Sequence, residues 1–120
     1  MAEHNLLGNK GEMLASRYLM NEGLAILHYN WRSGHKEIDL VARERDTLVF
    51  VEVKLRKSSA FAQAREFVDA KKQERIRLTA DLYLSQYPTK LLPRFDVVEI
   101  YAPEGIETSK PEIYHLEDAF

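Results

Sequence analysis

The chain has 120 residues, 45% hydrophobic and 30% charged, with a formal net charge of −2 at pH 7 and no cysteine. That length suits one domain, 1–120, around one core, and the composition is that of a folded chain. It excludes a disulfide framework and thiolate metal sites, shows no apolar run near the ~20 residues of a membrane span, and is interrupted by polar residues too early for a signal peptide.

A cytoplasmic protein without membrane attachment is therefore expected. The near-neutral total conceals an uneven distribution. From Leu55 to Arg94 there are nine Lys/Arg against four Asp/Glu, and from Phe95 onward one against seven. The middle is basic and the C-terminal end acidic, which permits a local phosphate-binding surface or simply two differently charged solvated faces.

The first predicted element is a helix from about Leu6 to Glu22, with Leu7, Gly11, Leu14, Ala15 and Tyr18 at helical spacing and Gly23 as its stop. Leu24 to Asn30 reads as a strand, with Trp31 beside it as a core or edge anchor. Glu37–Arg43 and Thr47–Lys54 are the second and third strands. The third is apolar on both faces as far as Val51, so it should be central and covered on each side. After a polar stretch, Arg56 to Ala60, comes a long helix whose start the pattern does not fix. Asp69 is its candidate cap, and Pro88 lies beyond its end. Ile76, Ala80, Tyr83, Leu84 and Tyr87 form its apolar stripe. Arg94–Tyr101 is a fourth strand, and Glu112–Leu116 reads as a short edge strand.

Only a hairpin joins the second and third strands. With Arg45 and Asp46 as its two loop residues, Glu44 faces Thr47, Asp39 faces Glu52 and Glu37 faces Lys54. Opposed residues share a face and strand period is two, so Glu37, Asp39, Glu52 and Lys54 are expected on one face. Ile38 with Val53 and Leu40 with Val51 would then form an apolar layer on the other. Two opposed carboxylates repel one another. A hard divalent cation relieves that repulsion, and a lysine two residues along is placed to act on a phosphate or a hydrolytic water. The same spacing also describes an ion network with Lys54 as counter-ion, and spacing leaves both readings open.

Asp39 followed by Glu52-Val53-Lys54 resembles the motif of the PD-(D/E)xK nuclease superfamily. More specifically, the chain resembles one branch of it, the YraN family of bacterial proteins. That likeness runs through Gly11-Glu-Met-Leu-Ala15, Asn30-Trp-Arg32, Glu37-Ile-Asp-Leu40, Val49–Lys54 with Arg56, Val68–Lys72 and Arg94–Val98. The resemblance implies an α/β fold: a restriction-endonuclease-like mixed central sheet flanked by helices, in the order α-β-β-β-α-β(-β), similar to Holliday-junction resolvases. It implies Mg²⁺ or Mn²⁺ held by Asp39, Glu52 and the Val53 carbonyl, with Lys54 as catalytic lysine and Glu12 approaching from the first helix. Leu55 stands where a Thr is usual and Lys36 where a Gly is common.

The expected function is a metal-dependent nuclease hydrolysing DNA phosphodiester bonds, resolvase-like in its choice of substrate. The alternative is a nucleic-acid-binding module with this fold and no significant catalysis. DNA is the expected partner, with Lys72, Arg56 and Arg32 as its phosphate contacts, and a homodimer is left open. Each of these has a plainer counterpart. Glu12 is also an ordinary exposed helix glutamate, Lys72 a solvated helix cation, and Arg32 and Arg56 counter-ions to the acidic cluster. Asp96 reads as an internal salt-bridge partner of Arg94. The four histidines show no metal-ligand spacing.

Overall fold

The computed structural model describes residues 2–56, 68–102 and 110–120, with side chains described from Lys10 onward. Helix α1 (Ala2–Asn21) leads into three strands, β1 (Ala25–Ser33), β2 (Lys36–Glu44) and β3 (Thr47–Arg56). Helix α2 (Ala70–Gln86), strand β4 (Leu92–Tyr101) and strand β5 (Glu112–Leu116) follow. The strands form one five-stranded sheet in the order β1-β2-β3-β4-β5, antiparallel throughout except for the parallel pair β3–β4. This is the expected mixed sheet, with β3 at its centre.

Both faces of β3 are buried, for the reason its sequence gives. Val49 and Val51 pack with Ala15 and Leu19 of α1 and with Val98 and Ile100 of β4. Leu48 and Phe50 pack on the opposite face, with Ala80 and Tyr83 of α2. Tyr83 is the centre of an aromatic group there, meeting Trp31, Phe50 and His28 edge-on at 5.2, 5.6 and 5.3 Å between ring centroids. The thickness of the molecule is thus helix, sheet, helix.

Local chemistry fixes the ends of the elements. Gly23, at φ 99°, closes α1: its N–H donates to Met20 O, and Leu24 N–H donates to Leu19 O, both at 3.0 Å. The side chain of Asp69 accepts from Lys72 N–H at 2.9 Å, which sets the first turn of α2 and the root of the Lys72 side chain. The preceding polar stretch falls largely on residues 57–67, outside the described residues. Strand β1 runs three residues beyond its expected end, because Trp31 is buried in the core and the chain turns only at Gly34, φ 63°.

Asp96 ties the C-terminal segment to β4. It is fully buried and takes Arg94 through two 2.8 Å bonds, His115 Nε2 at 2.6 Å and the Asp118 N–H at 3.0 Å. Arg94 also reaches Glu44 at 3.1 Å. The salt-bridge role expected of Asp96 is what is seen, and His115, which spacing gave no role, completes it. Burial raises the Asp96 carboxyl, but His115, Arg94 and the Asp118 N–H together hold it below its ordinary value.

A group depressed in this way stabilises the fold fully above its unfolded-chain value of about 3.9, and loses that contribution as pH falls through the folded value. Asp96→Asn should cost on the order of 3 kcal/mol at pH 7, since it removes the buried counter-charge of Arg94, leaving that residue only Glu44, and the carboxylate partner of His115, and should blunt the acid limb of the stability curve. Urea unfolding between pH 2 and 7 measures both. A variant as stable as wild type at pH 7 would contradict this account.

Candidate active site

The β2–β3 ladder has the register the hairpin predicts, running from Glu44 opposite Thr47 to Leu40 opposite Val51. Beyond that pair it stops. In an unbroken ladder Val53 would exchange backbone bonds with Ile38; instead Val53 N–H donates to Asp39 Oδ2 at 2.8 Å. A residue's N–H and C=O face the same neighbouring strand. Val53 therefore turns its carbonyl into the gap that Asp39 occupies.

The ladder breaks because of its neighbour, β1. Tyr29 pairs with Leu40 and Trp31 with Ile38, which sets Asn30 opposite Asp39. Asn30 is left-handed, at φ 48°, a conformation that Asn tolerates better than most residues. Alternation inverts here in both strands. Leu40 belongs to the α1-side core, whereas Trp31 and Ile38 both join the α2-side core. The expected layer of Ile38 against Val53 is therefore not formed. Val53 packs toward α1 and Ile38 toward α2.

Glu37, expected opposite Lys54, is paired across β1 with Arg32 instead, at 3.2 Å. The Asn30 amide, with its nitrogen toward Glu37 and its oxygen toward Arg32, bonds both at 3.1 Å. Sequence reasoning placed Asn30 at the end of a strand and in the Asn30-Trp-Arg32 likeness but gave it no role. Its signal was an asparagine, a turn-tolerant residue, inside a strand next to a buried tryptophan.

Glu52 and Lys54 point from β3 toward α2. Lys72 Nζ lies 2.8 Å from Glu52 Oε1, and Lys54 Nζ lies 3.5 Å from the same oxygen. The two ammonium groups thus meet at one carboxylate oxygen. On the α1 side, Gly11 sits over Val53, where an added Cβ would meet Val53 Cγ1 at 3.9 Å. That brings Glu12, the next residue, within electrostatic reach of Asp39, Glu37 and Arg32. Asp39, Glu52, Lys54, Val53, Lys72 and Glu12 thus converge at the splayed end of β2 and β3. Arg32 lies at the rim with its side chain 65% exposed. Arg56 does not join the group: it ends β3 beside Tyr101, which feels its charge.

A cavity of about 200 Å³ opens on this end. Asp39 and Glu52 line it with Glu37, His35 and Lys36 from the β1–β2 hairpin, and with Lys72, Arg75, Ile76 and Thr79 of α2. Its electrostatics are unbalanced. The Asp39 carboxyl is pushed up to about 7, first by burial and then by Glu52, with Glu12 and Glu37 adding to the rise and the Val53 N–H opposing it. Glu12 is raised by burial and by Glu37, against Arg32. Burial and the neighbouring Lys72 charge bring Lys54 below its ordinary value despite Glu52. For Lys72 burial acts the same way, but Glu52 and Asp39 outweigh it and leave the ammonium favoured.

Hard oxygen donors in mutual repulsion suit a hard divalent cation. Among the described residues, no three His, Cys, Asp or Glu side chains are grouped closely enough to hold an ion by themselves. Two carboxylates and a carbonyl would leave the remaining positions to water and substrate oxygens, which is how Mg²⁺ is commonly bound.

Fold and register define a restriction-endonuclease-like α/β domain with its acidic–lysine cluster at the opened centre of the sheet. Residues 11–100 match the uncharacterised protein family UPF0102, and the chain belongs to that family, the YraN family that its motifs resemble. A UPF0102 protein of Rhodococcus opacus is 46% identical, with 98% of each chain covered. Those of Bacteroides thetaiotaomicron and Phocaeicola vulgatus are 42% and 40% identical, each over all of this chain and 96% of their own length. Among the described residues no helix is long and apolar enough to cross a membrane.

The left-handed backbone at Asn30 makes the local break testable. Asn30→Val should destabilise the protein by at least about 1 kcal/mol more than Asn30→Gly, because a β-branched residue is strained at φ 48° and glycine is not. Equal urea midpoints for the two variants would show that Asn30 does not impose the inversion.

Proposed function

We propose that this chain is a nuclease that hydrolyses DNA phosphodiester bonds with Mg²⁺ or Mn²⁺, and that its resolvase-like character makes it selective for DNA structure. The observation that carries this reading is the carboxylate pair itself. Asp39 is locked onto the β3 backbone by Val53 N–H and pushed up to about 7, with Glu52 and two lysines beside it. A static ion network has no use for a half-buried carboxylate that three others repel and that, among the described residues, has no cation within salt-bridge distance. A site awaiting a divalent cation does.

Asp39, Glu52 and the Val53 carbonyl would hold the ion, which when bound would neutralise the pair and draw charge from a phosphate oxygen. The chain's own residues do the rest. Lys54, tied to Glu52 and partly buried, stands where it can orient the attacking water and stabilise charge that grows on the phosphate. Lys72 and Arg32 contribute phosphate contacts, and Arg56 adds its charge from the end of β3. In the reaction a water oxygen forms a bond to phosphorus as the opposite P–O bond breaks. The proton shed by the water passes to solvent, and the leaving oxygen takes one from solvent.

Cleavage of duplex, flapped and branched DNAs, with Mg²⁺ or Mn²⁺ and with EDTA, tests the proposal. Metal-dependent cutting is expected, falling ~10²-fold or more in Lys54→Ala while DNA affinity stays close to wild type. If Lys54→Ala cuts as well as wild type, the activity belongs to another site or another protein. Salt-dependent DNA binding without cleavage on any substrate would favour the nucleic-acid-binding module instead.

A further inference from the structure

Two ammonium groups share one oxygen in this site. Glu52 Oε1 takes Lys72 at 2.8 Å and Lys54 at 3.5 Å, while the neighbouring Asp39 carboxylate bonds the Val53 N–H. The two lysines are held differently. Lys54 is anchored on the central strand, with its side chain 16% exposed. Lys72 reaches in from the first turn of α2, 31% exposed, with its backbone N–H fixed by Asp69. A fixed root on a flexible four-carbon stem lets the head of Lys72 change partners without moving the helix.

A divalent cation drawing on Glu52 would be brought close to the Lys72 ammonium. Like charges at that range repel, and a partly buried pair is less screened than an exposed one. The nearer ammonium gives way. Its destination is at hand, since the same cavity is rimmed by Lys36, Arg75 and His35 and is open to solvent, where a nucleic-acid phosphate would lie.

We propose that Lys72 is a built-in counter-cation that holds Glu52 while no divalent ion is present and transfers to the DNA backbone when the ion binds, so that metal loading and DNA binding reinforce each other. The inference rests on the metal-site reading above. Without metal, Lys72 is occupied by Glu52 and one phosphate contact is missing. With metal, Glu52 is released from Lys72 and the contact becomes available. The coupling runs equally in both directions, because linkage between two binding equilibria is reciprocal.

Calorimetric titration of Mn²⁺ into the free protein reads the competition directly. Lys72→Met, which keeps most of the stem and removes the charge, should bind Mn²⁺ about five-fold more tightly than wild type or better. Lys72→Arg should stay near wild type. Fluorescence anisotropy of a labelled DNA duplex reads the other half, with Ca²⁺ as a probe ion. Added Ca²⁺ should tighten DNA binding by wild type and leave Lys72→Met almost unmoved. Lys72→Gln serves as a second charge-removing variant should Lys72→Met lose its cooperative thermal transition. Equal Mn²⁺ affinity in wild type and both neutral variants would overturn the proposal and make the Lys72–Glu52 pair a fixed strut, with the metal site intact. Absence of Mn²⁺ binding in wild type and in every variant would remove the metal site itself, and this proposal with it.

Discussion

Everything distinctive about this molecule depends on one hydrogen bond, from the backbone N–H of Val53 to the side chain of Asp39. A backbone donor in the middle of a sheet must be satisfied, and a strand partner usually does it. Here a carboxylate takes that place, and β2 and β3 can part without leaving an orphaned donor. The opening exposes the cluster at the centre of the sheet. The same bond fixes the Asp39 carboxylate in a position where burial and three neighbouring carboxylates all work against its charge.

The sheet holds two aspartates in opposite ways. Asp96 is surrounded by Arg94, His115 and a backbone N–H, and its carboxyl lies below the ordinary value. Asp39 has one backbone N–H and several like charges, and its carboxyl lies well above. Burial costs both of them; compensation reaches only one. A satisfied aspartate closes the structure at the C-terminal segment. An unsatisfied one marks the place where an external cation would lower the free energy, and perturbed carboxylates gathered at a cleft are characteristic of functional sites.

The sequence made legible those features that depend on local pattern. The two-residue hairpin at Arg45-Asp46 gave the β2–β3 register, and the apolar run of β3 gave its central position. Asp69 capped α2 as its side chain suggested, and the short edge strand Glu112–Leu116 has the expected bounds. What failed was alternation carried through Asp39. Strict period two put Ile38 against Val53, but one left-handed residue on a third strand, Asn30, turned both β1 and β2 over at that point. A pattern read along two strands has no access to a kink imposed by another. The Lys72–Glu52 contact was hidden for a related reason. Lys72 was legible as a helix cation, but its partner depends on how α2 lies across the sheet, as does that of His115 on the way the C-terminal segment folds back onto Asp96.

The central claim is that the break between β2 and β3 is a cation site. Crystals grown with Mn²⁺ and measured at the manganese absorption edge would locate the ion without reference to activity. The account predicts an anomalous peak shared by the Asp39 and Glu52 carboxylates and the Val53 carbonyl. Manganese bound only elsewhere on the surface, with Lys72 still on Glu52, would contradict it.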